Sequence, residues 1–137
     1  MQVAATIARI ILGLVFTAIG IATFFIKSPQ PLPGLAGEFN EAFFRSHWLL
    51  FVSAAQALLG IALLTNRYVP LALIVLAAFT YNSFAFHITM LPSALFAPII
   101  VTVLWFLVAW TYRETFAPLL VARPGQPPGL HSTIIKH

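Results

Sequence analysis

The sequence contains no cysteine and very little charge. Without thiols, the chain on its own forms no disulfide, holds no thiolate metal site and ligates no iron–sulfur cluster. Charged residues make up 7% of the chain, against about 25% in a soluble domain. That shortage argues against an ordinary water-soluble fold. The seven basic residues are spread singly and build no patch or reading motif, so a nucleic-acid partner is not expected. There is no glycine-rich phosphate loop, no His-Glu-x-x-His zinc motif and no serine nucleophile elbow. The three acidic residues, Glu38, Glu41 and Glu114, all lie outside the centres of the apolar runs. None is placed to relay protons through a hydrocarbon layer. An enzyme acting alone is therefore not expected.

What is abundant is hydrocarbon: 61% of the residues are hydrophobic. Residues 3–26, 48–64, 69–91 and 94–112 form apolar runs. A bilayer core of about 30 Å takes about 20 apolar residues as a helix. The expected fold is all-α: an integral membrane antiparallel four-helix bundle filling residues 1–118, with a short interfacial helix between helices one and two. The lipid bilayer is then its first partner. The tail 119–137, rich in proline, glycine and polar residues, is expected to be irregular and cytoplasmic. The first apolar run is too long for a signal peptide, and its first basic residue, Arg9, comes late.

The helices are expected near Val3–Ile26, His47–Leu64, Pro70–Met90 and Ala94–Phe116. Thr6, Ile10, Gly13, Thr17 and Gly20 recur at steps of four and three. That spacing predicts a small-residue seam for close helix packing. Residues 27–37 carry three prolines and read as an extended loop. Glu38–Ser46 mixes phenylalanines with charged residues, as a helix lying in the interface does. Glu41 and Arg45 are spaced for an i, i+4 ion pair. With four spans both termini share one side, and Arg9, Arg67, Arg113, Arg123 and Lys136 fall there, against Lys27 and Arg45 opposite. The positive-inside rule makes that side cytoplasmic, in a bacterial inner membrane.

Several segments resemble the DoxX-like membrane proteins. They are Ala8-Arg9-Ile10-Ile11-Leu12-Gly13-Leu14, Pro29-Gln30-Pro31-Leu32-Pro33-Gly34, Asn66-Arg67-Tyr68-Val69-Pro70-Leu71-Ala72-Leu73, Asn82 with Phe86-His87, and Ala109-Trp110-Thr111-Tyr112-Arg113. The resemblance spans roughly residues 7–120. It implies a four-helix membrane protein from a family associated with thiosulfate:quinone oxidation, oxidative-stress complexes and assembly roles. Relatives often carry a glutamate where this chain has Gln56, and a histidine where it reads Phe24-Phe25-Ile26. Both departures remove titratable groups.

Few side chains are candidates for chemistry. Gln56 and Asn82 are expected at similar depth, each pointing inward to a partner, since a carboxamide facing lipid is penalised. Their structural reading is an interhelical hydrogen bond; the functional one makes them, with Ser83 and His87, a candidate ligand-binding set for a quinone head group. His87 is alternatively a haem or pigment ligand, or simply a structural interfacial residue. No metal site is expected, because no second histidine shares its face. Arg9 either snorkels to the head groups or pairs with Glu114 to fix helix register; anionic lipid or substrate is the remaining alternative. The leading function is a non-catalytic accessory or assembly subunit of a larger membrane complex, one handling electrons, with other membrane subunits as partners. A quinone-binding subunit is the alternative, and a pigment or haem scaffold a further one. The solvent assignment predicts that the purified chain aggregates in plain buffer and stays dispersed only with detergent or lipid, as size-exclusion chromatography would register.

Overall fold

The computed structural model describes residues 2–121. Among these there is no strand, and the elements are helices. They run α1 (Gln2–Thr23), α2 (Gly34–Arg45), α3 (Trp48–Leu64) and α4 (Val69–Thr89). A 3₁₀ turn at Pro92–Ala94 leads into α5 (Phe96–Thr111), followed by a single-turn α6 (Arg113–Phe116) and a second 3₁₀ turn at Ala117–Leu120. Three stretches, Gln2–Thr23, Val69–Thr89 and Pro92–Thr111, are long and apolar enough to cross a membrane. The pair α2 and α3, bent by 85° at its junction, raises the number to four if it forms one span.

The four long helices touch in a closed ring, α1 on α3, α3 on α4, α4 on α5 and α5 on α1. The pairing of α1 with α3 is the most extensive, and small residues make it so. A Cβ on Gly20 would come within 2.6 Å of the Ser53 carbonyl oxygen and the Ala57 backbone nitrogen. One on Gly60 would lie 2.8 Å from the Gly13 carbonyl oxygen and collide with Thr17. Gly13 therefore faces Gly60 and Leu64, while Gly20 faces Ser53 and Ala57, so the two helices run in opposite directions. The seam differs in part from the expected one. Gly13, Thr17 and Gly20 belong to it, whereas Thr6 and Ile10 are exposed. The buried face of α1 is Ala5, Ala8, Leu12, Gly13, Phe16, Gly20 and Thr23, a stripe of roughly 3.6-residue period that the four-three count had rotated by one position.

The core lies toward one end of the ring. Leu12, Leu63, Leu73, Leu76 and Val108 are fully buried, drawn from the first half of α1, the end of α3, the start of α4 and the end of α5. Ala8, Ala72 and Ala109 fill the narrow places between them. Trp105 of α5 donates its indole N–H to the Leu73 carbonyl at 2.8 Å, tying α5 to α4.

Helix ends depart from expectation where local geometry intervenes. Helix one stops at Thr23, and Phe24, Phe25 and Ile26 continue as turns with i to i−3 bonds. Helix α2 starts at Gly34 rather than Glu38, because Gly34 takes φ +55 after the extended Pro33. The loop thus loses four residues to the helix, and Ala36 becomes fully buried. His47 is outside α3: it adopts φ +60 and makes the corner between α2 and α3. The fourth expected helix breaks at Tyr112, whose φ of −106 and ψ of 14 separate α5 from α6. Of the tail, residues 119 and 120 belong to the last 3₁₀ turn, and residues 122–137 lie outside the described residues.

Helix α2 is held at the far end by aromatic rings. Phe39 stacks on Phe43 with centroids 5.6 Å apart and meets Phe86 of α4 at 5.7 Å. The Glu41–Arg45 ion pair spans 3.4 Å on its exposed side, where such a pair is worth about 0–1 kcal/mol. Gly20→Ala should lower stability by about 1–3 kcal/mol, since the added methyl meets immovable backbone. Gly34→Ala, with open space around it, should cost about 1–2 kcal/mol, arising from its positive φ alone. Denaturant titration in detergent would compare the two.

Candidate functional site

The hydroxyls in the helices are mostly satisfied locally. Thr23 donates to the Ile19 carbonyl, Thr80 to Leu76, Thr89 to Ala85 and Thr102 to Pro98, each one turn back at 2.7–2.8 Å. This back-bonding lets a polar group lie in apolar surroundings without a distant partner. Thr17 and Ser53, both on the α1–α3 seam, are the exceptions: their hydroxyl oxygens are buried with no hydrogen-bond partner among the described residues.

The four expected ligand residues do not converge on a cavity. Asn82 is exposed, and its side-chain amide donates to the Ala78 carbonyl of its own helix at 2.8 Å. The expectation that it points inward to a partner is therefore corrected: the inner face of α4 is taken by Val69, Ala72, Leu73, Leu76 and Thr80, and Asn82 lies off that stripe. Gln56 is half-buried on α3, with no side-chain hydrogen bond among the described residues. Ser83 and His87 are brought together, as their spacing requires. The His87 Nδ1–H donates to the Ser83 carbonyl at 2.7 Å, and the ring meets Phe86 edge-on at 5.2 Å.

That bond has a chemical consequence. The carbonyl accepts only, so Nδ1 carries the proton and a neutral His87 presents Nε2 as a lone pair. Such a nitrogen can accept from an O–H or bind a metal centre. In this tautomer the ring accepts at Nε2 rather than donating there. Among the described residues no group of three His, Cys, Asp or Glu stands together as a metal site would require.

Arg9 is the charged side chain that the fold uses. Half-buried on α1, it donates through Nη1 to the Leu63 carbonyl near the end of α3. The same carbonyl accepts the Asn66 N–H at 3.3 Å, so the guanidinium adds a second donor at the negative end of the helix dipole. The expected pairing of Arg9 with Glu114 is not among the ion pairs of the described residues. Glu114 lies on the single-turn α6 beyond the Tyr112 break, 91% exposed, and its carboxylate is 3.8 Å from Arg113.

Beside Arg9 the structure opens a cavity of about 360 Å³, lined on its polar side by Gln2, Thr6, Arg9, Asn66, Thr111 and Tyr112. Ala5 and Val108 supply the apolar wall. Asn66 reaches it because α3 ends in a tight reversal. The Arg67 N–H bonds the Ala62 carbonyl at 3.0 Å, and Asn66 takes φ +55, a conformation that asparagine tolerates after a helix end. Sequence reasoning missed this group, since its members come from three helix ends. The readable signal was the concentration of basic residues at that end. A second cavity, about 210 Å³, lies between the end of α1 and the α2–α3 corner, with Thr23, Phe44 and His47 among its walls. Neither cavity is lined by Gln56, Asn82, Ser83 or His87.

No family model, curated protein or solved structure matches the chain. Arg9→Leu should destabilise the fold by about 1–3 kcal/mol, through loss of a charged donor to a partly buried carbonyl. Arg113→Leu, exposed and bonded only to its own turn, should change stability by less than about 0.5 kcal/mol. Thermal unfolding in detergent would measure the difference.

Proposed function

We propose that this chain is an integral membrane protein, a four-helix antiparallel bundle of the DoxX-like kind. In this reading it lies in the bacterial inner membrane with both termini in the cytoplasm. It serves as a non-catalytic accessory or assembly subunit of a larger membrane complex. The observation that carries this reading is the outward position of Asn82. Helix α4 has 21 residues, about 31 Å at 1.5 Å per residue, so as a span it leaves Asn82 about 10 Å inside its far end. The amide N–H bonds the helix itself, and among the described residues no donor reaches the carboxamide oxygen of this exposed residue, next to Tyr81, which is 75% exposed.

A carboxamide oxygen facing hydrocarbon is penalised, and a donor from a neighbouring transmembrane helix removes the penalty. A second subunit packed on this face meets that need, which lipid tails cannot. The surrounding surface of α4, with Ile74, Val75 and Ile88 outward, is apolar enough for such packing. The electron-transfer setting of the complex is what the DoxX-like resemblance implies.

A photo-crosslinking residue in place of Tyr81, activated in native membranes, should join the chain to a different membrane polypeptide. Asn82→Leu in the same background should reduce that adduct by up to about fivefold, the effect of losing one interhelical hydrogen bond of about 1 kcal/mol or less. Adducts only to lipid, adducts only to a second copy, or an adduct unchanged by Asn82→Leu would each overturn the proposal.

A further inference from the structure

We propose that the cavity beside Arg9 is a binding site for a phosphate group bearing a small hydroxylated substituent, as in an anionic phosphoglycerol headgroup. It is at the opposite end of α4 from Asn82 and does not depend on the docking face.

The argument begins with an unbalanced charge. One nitrogen of the Arg9 guanidinium serves the Leu63 carbonyl, and a guanidinium has five N–H donors in a planar fork. Among the described residues no carboxylate approaches it. The acid nearest in sequence to this end, Glu114, is exposed and beside Arg113. A half-buried cation facing an open cavity calls for an anion, and a fork matches the paired oxygens of a phosphate.

The other walls sort by donor and acceptor. Asn66 and Gln2 bring neutral amide donors, and Tyr112 brings a phenolic O–H. Thr6 and Thr111 have already given their protons, to the Gln2 carbonyl at 2.9 Å and the Val108 carbonyl at 2.7 Å. Each hydroxyl oxygen therefore has lone pairs to offer. Donors around a cation suit phosphate oxygens, and spent hydroxyls suit the O–H groups of a polyol. A bare carboxylate would use only the first set.

Location adds to the match. The cavity is at the end of the bundle where α1 begins and α5 ends. In a spanning bundle that level holds the lipid head groups. The same chemistry could come from a lipid or from a soluble phosphate, and the experiment separates them.

The full chain, labelled with ¹⁵N-arginine, would be placed in phosphatidylcholine nanodiscs and the Arg9 Nε–H resonance followed. In one arm phosphatidylglycerol replaces phosphatidylcholine stepwise. In the other, glycerol 3-phosphate is added to the aqueous phase. A saturable shift in the first arm alone assigns a lipid headgroup, and a saturable shift in the second assigns a soluble phosphate. Asn66→Gly keeps the positive φ and removes the amide, so the fold survives the test. It should weaken the response about tenfold, as expected for one hydrogen bond to a charged group. Arg113→Gln, outside the cavity, should change it less than twofold. No saturable shift in either arm would overturn the proposal. So would equal weakening by Asn66→Gly and Arg113→Gln, which marks a diffuse surface charge.

Discussion

Close backbone approach between α1 and α3 is the constraint on which the rest of this structure depends. Gly13, Gly20 and Gly60 bring the two helices so near that a methyl group at Gly20 or Gly60 has nowhere to go. Dispersion between backbones at this distance replaces the large interlocking side chains of a soluble core. Once α1 and α3 are fixed, the end of α3 comes within reach of Arg9. Leu63 then joins Leu12 and Phe16 in one core cluster, and α4 and α5 close the ring with Leu73, Leu76 and Val108. The buried hydroxyls of Thr17 and Ser53 on this seam have no hydrogen-bond partner among the described residues. They are the polar cost of a seam built for proximity rather than for hydrogen bonding.

The two ends of the bundle are organised by different physics. At the end where α1 begins, packing is dense, Arg9 caps the last turn of α3, and polar groups from three helix ends surround an open cavity. At the other end the helices are joined through aromatic contacts, with Phe39 bridging from α2 to Phe86 and His87 locked to its own helix by the Ser83 carbonyl. The proposed electrostatic recognition belongs to the first end. The proposed apolar docking, sharpened by the outward Asn82, belongs to the second half of α4. The proposed lipid or phosphate site and the proposed partner surface are thus separate functions of one scaffold.

Much of the helical layout was legible in the sequence, because each apolar run is long and bounded by Pro, Gly or charged residues. Gly13 and Gly20 could be read as packing residues from their spacing alone. The positions that escaped were those where a single φ decides. Gly34 starts α2 four residues early, His47 turns the corner into α3, and Tyr112 ends α5. The candidate site was less legible. Gln56, Asn82, Ser83 and His87 share a polar character that suggested one pocket, yet Asn82 faces outward and none of the four lines either cavity. Asn66, Thr111 and Tyr112 are ordinary residues at helix ends, and nothing local announces that they meet Arg9.

By itself, the sequence determined the apolar helices, their approximate ends, the poverty of titratable chemistry and the gathering of basic residues at one end. These follow from composition and short-range periodicity, which act along the chain. Tertiary structure alone decided that Arg9 bonds the end of α3 rather than Glu114, that Asn82 looks outward, and that three helix ends enclose a polar cavity. Those outcomes depend on the rotation of each helix about its axis. That rotation is set by how closely glycines let a neighbouring backbone approach, and a one-residue shift in the buried stripe turns a side chain by about 100°.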